Sequence, residues 1–155
     1  MNFQLAQLNV ARPRAPLDDP SMADFVAGLP VLNALADQSP GFVWRLTDED
    51  GSDATGLRAF GPDLLLNMSV WESVEALRDY VYRSDHLESM RRRREWFDHE
   101  GADPYLVLWW VPAGQLPTLD EARERRDRLA RFGPGPDAFT FRQPFPAPNA
   151  PQSVA

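Results

Sequence analysis

The chain contains no cysteine and no lysine, has two histidines, and holds no apolar run approaching the roughly 20 residues that a membrane-spanning helix needs. Without cysteine there are no disulfides, thiolate nucleophiles, or thiolate-ligated zinc or iron–sulfur sites. The N-terminus opens on a strand-like segment instead of a basic and then apolar leader, so the expectation is a soluble cytoplasmic protein with no membrane partner. With 23 acidic residues against 16 arginines the net charge is -7, which argues against a nucleic-acid partner that must be bound by charge neutralisation. Basicity carried by arginine alone suits planar ion pairing and stacking, although high-GC codon usage would produce it equally. No HExxH arrangement, Ca²⁺ loop, P-loop or dinucleotide fingerprint occurs.

What the chain does have is enough length for one domain with a real core, 155 residues, and five tryptophans. Phe3 to Val10 reads as a strand. Asp19-Pro20 suits the cap and first position of a helix whose stripe is Met22, Phe25, Val26, Leu29, Leu32 and Leu35, with Pro30 expected to kink or divide it. Pro40-Gly41 supplies a turn and Phe42 to Leu46 a second strand. A third strand, Leu64 to Trp71, precedes a helix capped by Ser73. A second helix is expected from Asp85, where Asp85 and Glu88 have capping-box spacing. Tyr105 to Val111 is the last strand, and Thr118 with Glu121 caps a charged helix ending at Gly133.

This order predicts an α+β domain over residues 1–146, a ferredoxin-like βαββαβ arrangement with additional helices, followed by a disordered tail at 147–155. Alternation along the third strand puts Leu64, Leu66, Met68 and Val70 on one side, and Leu65, Asn67, Ser69 and Trp71 on the other. The first side is expected to lie under the helices. The last strand has Tyr105, Val107, Trp109 and Val111 opposite Leu106, Leu108 and Trp110, with neither side polar. Two short helices cover only one face, so a second copy packed sheet to sheet is the expected cover, giving a dimeric α+β barrel with a cavity beside or between the sheets.

His86, at the first position of the expected helix, is the candidate base or haem-iron ligand, because a helix N-terminus disfavours the imidazolium. The alternative is a helix-opening histidine bonded to a neighbouring loop. His99 lies in an acidic turn whose consecutive residues offer no preorganised metal shell. Arg45 could meet a ligand carboxylate or phenolate, with Gln7, Asn9, Asn67 and Ser69 completing a polar strip, or it could form a salt bridge to Asp48 or Asp50. Ser69 is mid-strand with no nucleophile elbow. Arg91 to Arg94 reads as a solvated, locally neutralised helix, with phosphate or ligand-carboxylate binding as the alternative. Trp44, Trp71 and Trp96, with Trp109 and Trp110, suit either an aromatic cavity or an aromatic dimer interface.

The segments Phe3-Gln4-Leu5-Ala6-Gln7-Leu8-Asn9, Ser39-Pro40-Gly41-Phe42-Val43-Trp44-Arg45, Asn67-Met68-Ser69-Val70-Trp71-Glu72-Ser73, His86, Arg92-Arg93-Arg94-Glu95-Trp96-Phe97 and Tyr105-Leu106-Val107-Leu108-Trp109-Trp110-Val111-Pro112 closely resemble the bacterial family catalogued as domain of unknown function 3291. The resemblance runs from about residue 3 to residue 146. It implies membership of the wider dimeric α+β barrel group, which includes antibiotic-biosynthesis monooxygenases, haem-degrading proteins and stress-responsive barrels. It further implies a homodimer and a small-molecule cavity, but no reaction.

The expectation is a dimeric barrel that binds an apolar or aromatic small molecule without a cofactor or metal. One alternative is a cofactor-independent oxygenase acting on an aromatic or polyketide-like compound, with His86 as base and Asn67 or Arg45 stabilising an oxyanion. The other is a haem-binding or haem-degrading protein.

Overall fold

The computed structural model describes residues 2–47, 58–61, 63–83, 92–98 and 103–148. Elements follow in the order β1 (Phe3–Pro13), a 3₁₀ turn (Pro20–Met22), α1 (Ala23–Gln38), β2 (Phe42–Arg45), β3 (Leu65–Trp71), α2 (Val74–Arg83), α3 (Arg93–Trp96), β4 (Phe97–Asp98), β5 (Leu106–Pro112) and α4 (Leu119–Phe132). The long strands lie side by side as β2-β3-β1-β5, all neighbours antiparallel, and β4 adds to the far end of β1. This is the ferredoxin-like order, with β1 central and each helical crossover spanning one intervening strand. The fold is mixed α+β, as the element order predicts. No described helix is long and apolar enough to cross a membrane.

The caps form from the residues that the sequence marks. Asp19 accepts from the Ser21 N–H, Ser73 Oγ from the Ala76 N–H, and Thr118 Oγ1 from the Glu121 N–H, each serving a helix-start donor with no intrahelical partner. Pro30 does not divide α1, which runs unbroken from Ala23 to Gln38. The missing proline N–H lies on the exposed side of that helix, where the carbonyl it would have served is open to solvent. The expected helix opening at Asp85 lies outside the described residues.

The two sides of the sheet contain the residues that alternation assigns them, but their covers are exchanged. Leu66, Met68 and Val70 of β3, with Val107, Trp109 and Val111 of β5, form a core closed by Ala122 and Leu129 of α4. The side bearing Gln7, Ser69 and Trp71 is roofed by α1 and α2. Apolarity does not choose the face. Both crossovers belong to split βαβ units, whose right-handed closure places α1 and α2 over one side irrespective of polarity. The side without them is covered by this chain's own α4, so the cover expected from a second copy is supplied within one protomer. Near the C-terminus, Phe139 exchanges two backbone hydrogen bonds of 2.8 Å with Leu108 and shields part of the outer edge of β5.

Candidate functional site

Between the sheet and α1 lies a half-open cavity of about 230 Å³. It exists because the floor at its centre consists of short polar side chains. Gln7 and Ser69 face each other across the β1–β3 ladder, as do Asn9 and Asn67 one pair further along. The inward residues of α1, among them Leu29, Leu32 and Asn33, therefore meet empty space and are only half-buried.

The floor is a connected network. Gln7 donates from Nε2 to Asn67 Oδ1 at 2.6 Å and to Ser69 Oγ at 2.9 Å. Trp71 donates from Nε1 to the same Ser69 oxygen at 2.8 Å. Gln7 is 4% exposed and Ser69 6%, so both are shielded from bulk water. Asn67 is exposed at the mouth. With its carbonyl oxygen engaged by Gln7, its two N–H donors have no partner among the described residues and remain available to the cavity.

One end of the cavity is aromatic. The Trp71 ring stacks on Tyr80 at 5.2 Å between centroids and meets Phe42 edge-on at 5.4 Å. Tyr80 donates its hydroxyl to the Leu32 carbonyl at 2.9 Å, tying α2 to α1. Burial raises its phenol pKa to about 12, with Arg45 lowering it and Asp37 raising it to lesser degrees. At the other end Trp96 packs on Phe25 at 5.5 Å, and Arg93 and Tyr105 complete the lining.

Of the residues expected at a site, Gln7, Asn9, Arg45, Asn67, Ser69, Trp71 and Trp96 all line this one cavity. Trp44 does not. A bulge between Phe42 and Trp44 breaks the strict alternation of β2: Phe42 joins the cavity side, while Trp44 pairs with Val70 and packs on the α4 core. Arg45 pairs with Asp37 of α1, Nε to Oδ1 at 2.8 Å and Nη2 to Oδ2 at 3.3 Å, a contact that strand-face reasoning did not reveal. Asp48 and Asp50, its expected partners, lie outside the described residues, as do His86 and His99. Tyr80 and Arg93 were not singled out from sequence. Tyr80 stands among the apolar residues Val74, Leu77 and Val81 of its helix, and Arg93 lies in a run of four like residues, so neither is conspicuous.

Among the described lining residues there is no carboxylate and no imidazole. The cavity can donate hydrogen bonds and pack flat rings, and burial holds the Tyr80 phenol protonated well above neutral pH. No group of described residues could hold a metal ion.

No curated protein sequence matches the chain. Solved structures resembling it include a protein of unknown function from Nitrosomonas europaea, 16% identical, with a TM-score of 0.49 over 75% of this chain and 96% of that one. SnoaB, a cofactor-independent oxygenase from Streptomyces nogalater, is 16% identical, with a TM-score of 0.44 over 73% of this chain and 95% of that one. A protein from Pseudomonas aeruginosa is 15% identical, with a TM-score of 0.46 over 76% of this chain and 98% of that one. The family is shown by sequence: residues 4–155 match its model, and the chain belongs to the domain of unknown function family DUF3291.

Proposed function

We propose that this protein binds a small, flat aromatic molecule between its sheet and α1, with a carbonyl or hydroxyl oxygen of the ligand set against Asn67. The observation that carries this reading is the floor network. Gln7 and Trp71 both donate to Ser69, and the Gln7 bond to the Asn67 carbonyl leaves the Asn67 amide donors for a space otherwise walled mainly by rings and aliphatic chains. A few placed polar groups in an apolar concavity are what orient a small ligand. At about 230 Å³ the space equals roughly eight waters of liquid, which suits one or two fused rings.

Isothermal titration with naphthol tests the reading. A ligand of this size should bind with a Kd on the order of 0.1 mM, and Gln7→Leu, which removes the bond aligning Asn67, should weaken it severalfold. Absence of binding by neutral bicyclic aromatics defeats the proposal.

An oxygenase is the second reading, favoured by the Asn67 donors, which suit a developing oxyanion. The described lining supplies no base, so this reading rests on His86. Turnover lost in His86→Ala with ligand binding retained supports it, and unchanged turnover removes it. A homodimer belongs to the proposal for a different reason from the one read in the sequence. Phe132, at the end of α4, stands 76% exposed and would give a second copy an apolar ring to cover. A monomer by light scattering across a concentration series defeats that part.

A further inference from the structure

Two arginines line the cavity, and only one has its charge compensated by a described residue. Arg45 is held by both oxygens of Asp37. Arg93 has neither a carboxylate nor a hydrogen-bond acceptor among the described residues. Its guanidinium carbon instead lies 4.9 Å from the centre of the Tyr105 ring and 5.8 Å from that of Phe97. Its neighbour shows that acids are within reach of this segment: Arg92 pairs with Glu95 at 2.6 Å and with Asp24 at 3.0 Å. Among the described residues, the arginine that faces solvent is thus neutralised and the one that faces the cavity is not.

Burial disfavours the charged form of Arg93 and pushes its pKa down, yet a guanidinium stays charged at neutral pH. A half-buried cation is costly unless something pairs with it. The stacked rings meet part of that need through their negative faces, and they also hold the planar group with its N–H edges free for a bidentate acceptor. Among the described residues, no aspartate or glutamate lines the cavity to compete for it. The floor network and this guanidinium occupy successive levels along β1. Gln7 pairs with Ser69, Ala11 pairs with Leu65 at the Arg93 end, and the two levels are about 13 Å apart at the usual rise per residue.

Resting on the small-molecule reading above, we infer that Arg93 is the specificity-determining residue of the cavity and that its ligand is an aromatic carboxylate, with the carboxylate anchored at Arg93 and the ring directed toward the Asn67 and Trp71 end.

The experiment is calorimetric titration of the full chain at neutral pH with naphthoate and with naphthamide, which share shape and differ in charge. The wild-type protein should bind naphthoate roughly 10- to 100-fold more tightly than naphthamide, the range expected of a charge-assisted bidentate bond. Arg93→Gln should bring the two to parity by weakening naphthoate alone, and retained naphthamide binding shows that the cavity is still folded. Arg94→Gln, one position along on the exposed side, should alter neither ligand. Equal wild-type affinities, an Arg93→Gln variant that still prefers naphthoate, or one that loses both ligands alike overturns the inference while leaving the cavity reading standing. If the wild-type protein binds neither compound, the cavity reading falls and the inference falls with it.

Discussion

Replacing Ser69 by alanine removes the oxygen that two buried donors share. Trp71 Nε1, in a side chain 1% exposed, has no other acceptor among the described residues, so Ser69→Ala leaves a buried indole N–H unsatisfied. That costs about 1–3 kcal/mol, and the lost Gln7 bond adds about 0.5–1.5 kcal/mol, although Gln7 keeps Asn67. A combined loss of about 1.5–4.5 kcal/mol corresponds to a fall in Tm of roughly 3–18 °C for a chain of this length. Urea unfolding followed by far-ultraviolet circular dichroism measures it. The argument also predicts a coupling. In a Trp71→Phe background the orphaned donor no longer exists, the ring contacts with Tyr80 and Phe42 persist, and Ser69→Ala should cost only about 1 kcal/mol. A single mutant within about 0.5 kcal/mol of wild type, or an equal cost in both backgrounds, refutes the view that Ser69 is a structural acceptor in the floor of the cavity.

Tyr80 predicts an alkaline stability loss. Burial holds its phenol protonated to about pH 12 in the folded chain, whereas an unfolded chain ionises it near pH 10. The stabilising share is therefore whole below about pH 10 and is lost as pH rises through the folded value, by on the order of 2 kcal/mol. Tyr80→Phe should flatten that limb of the pH curve, and an unchanged limb counts against the assigned burial. Gly41, with φ at +84°, lets the chain turn from α1 into β2 against α2, and a Cβ there would meet Ala76 Cβ at 2.5 Å. Gly41→Ala should destabilise by about 2 kcal/mol or more in denaturant titration, combining an unfavourable backbone with a close contact that neither helix nor strand can relieve cheaply. A neutral effect would show that α2 is free to move away.

The site was partly visible in the chain itself. Gln7, Asn9, Asn67 and Ser69 stand out because polar residues recur at every second position in strands otherwise rich in apolar side chains, and period-two alternation is a local property. Their mutual contact follows from antiparallel register, which alternation does not specify, and so the Gln7 bonds to Asn67 and Ser69 could not be read. Strict alternation would put Phe42 and Trp44 on one face of β2, but they lie on opposite faces for a similar reason. A single bulged residue reverses every side chain beyond it, and nothing about Val43 announces one.

Composition, capping residues and hydrophobic period were sufficient on their own for the order of the long elements, the mixed α+β class and the two-sided character of β3 and β5. These are nearest-neighbour preferences, written within a few residues of where they act. Tertiary structure alone decided which side of the sheet α1 and α2 cover, that α4 rather than a second copy closes the other side, and that Asp37 pairs with Arg45 while no described acid reaches Arg93. Those outcomes depend on crossover handedness and on which distant segments come to share a face, quantities fixed by the whole chain at once and by no window along it.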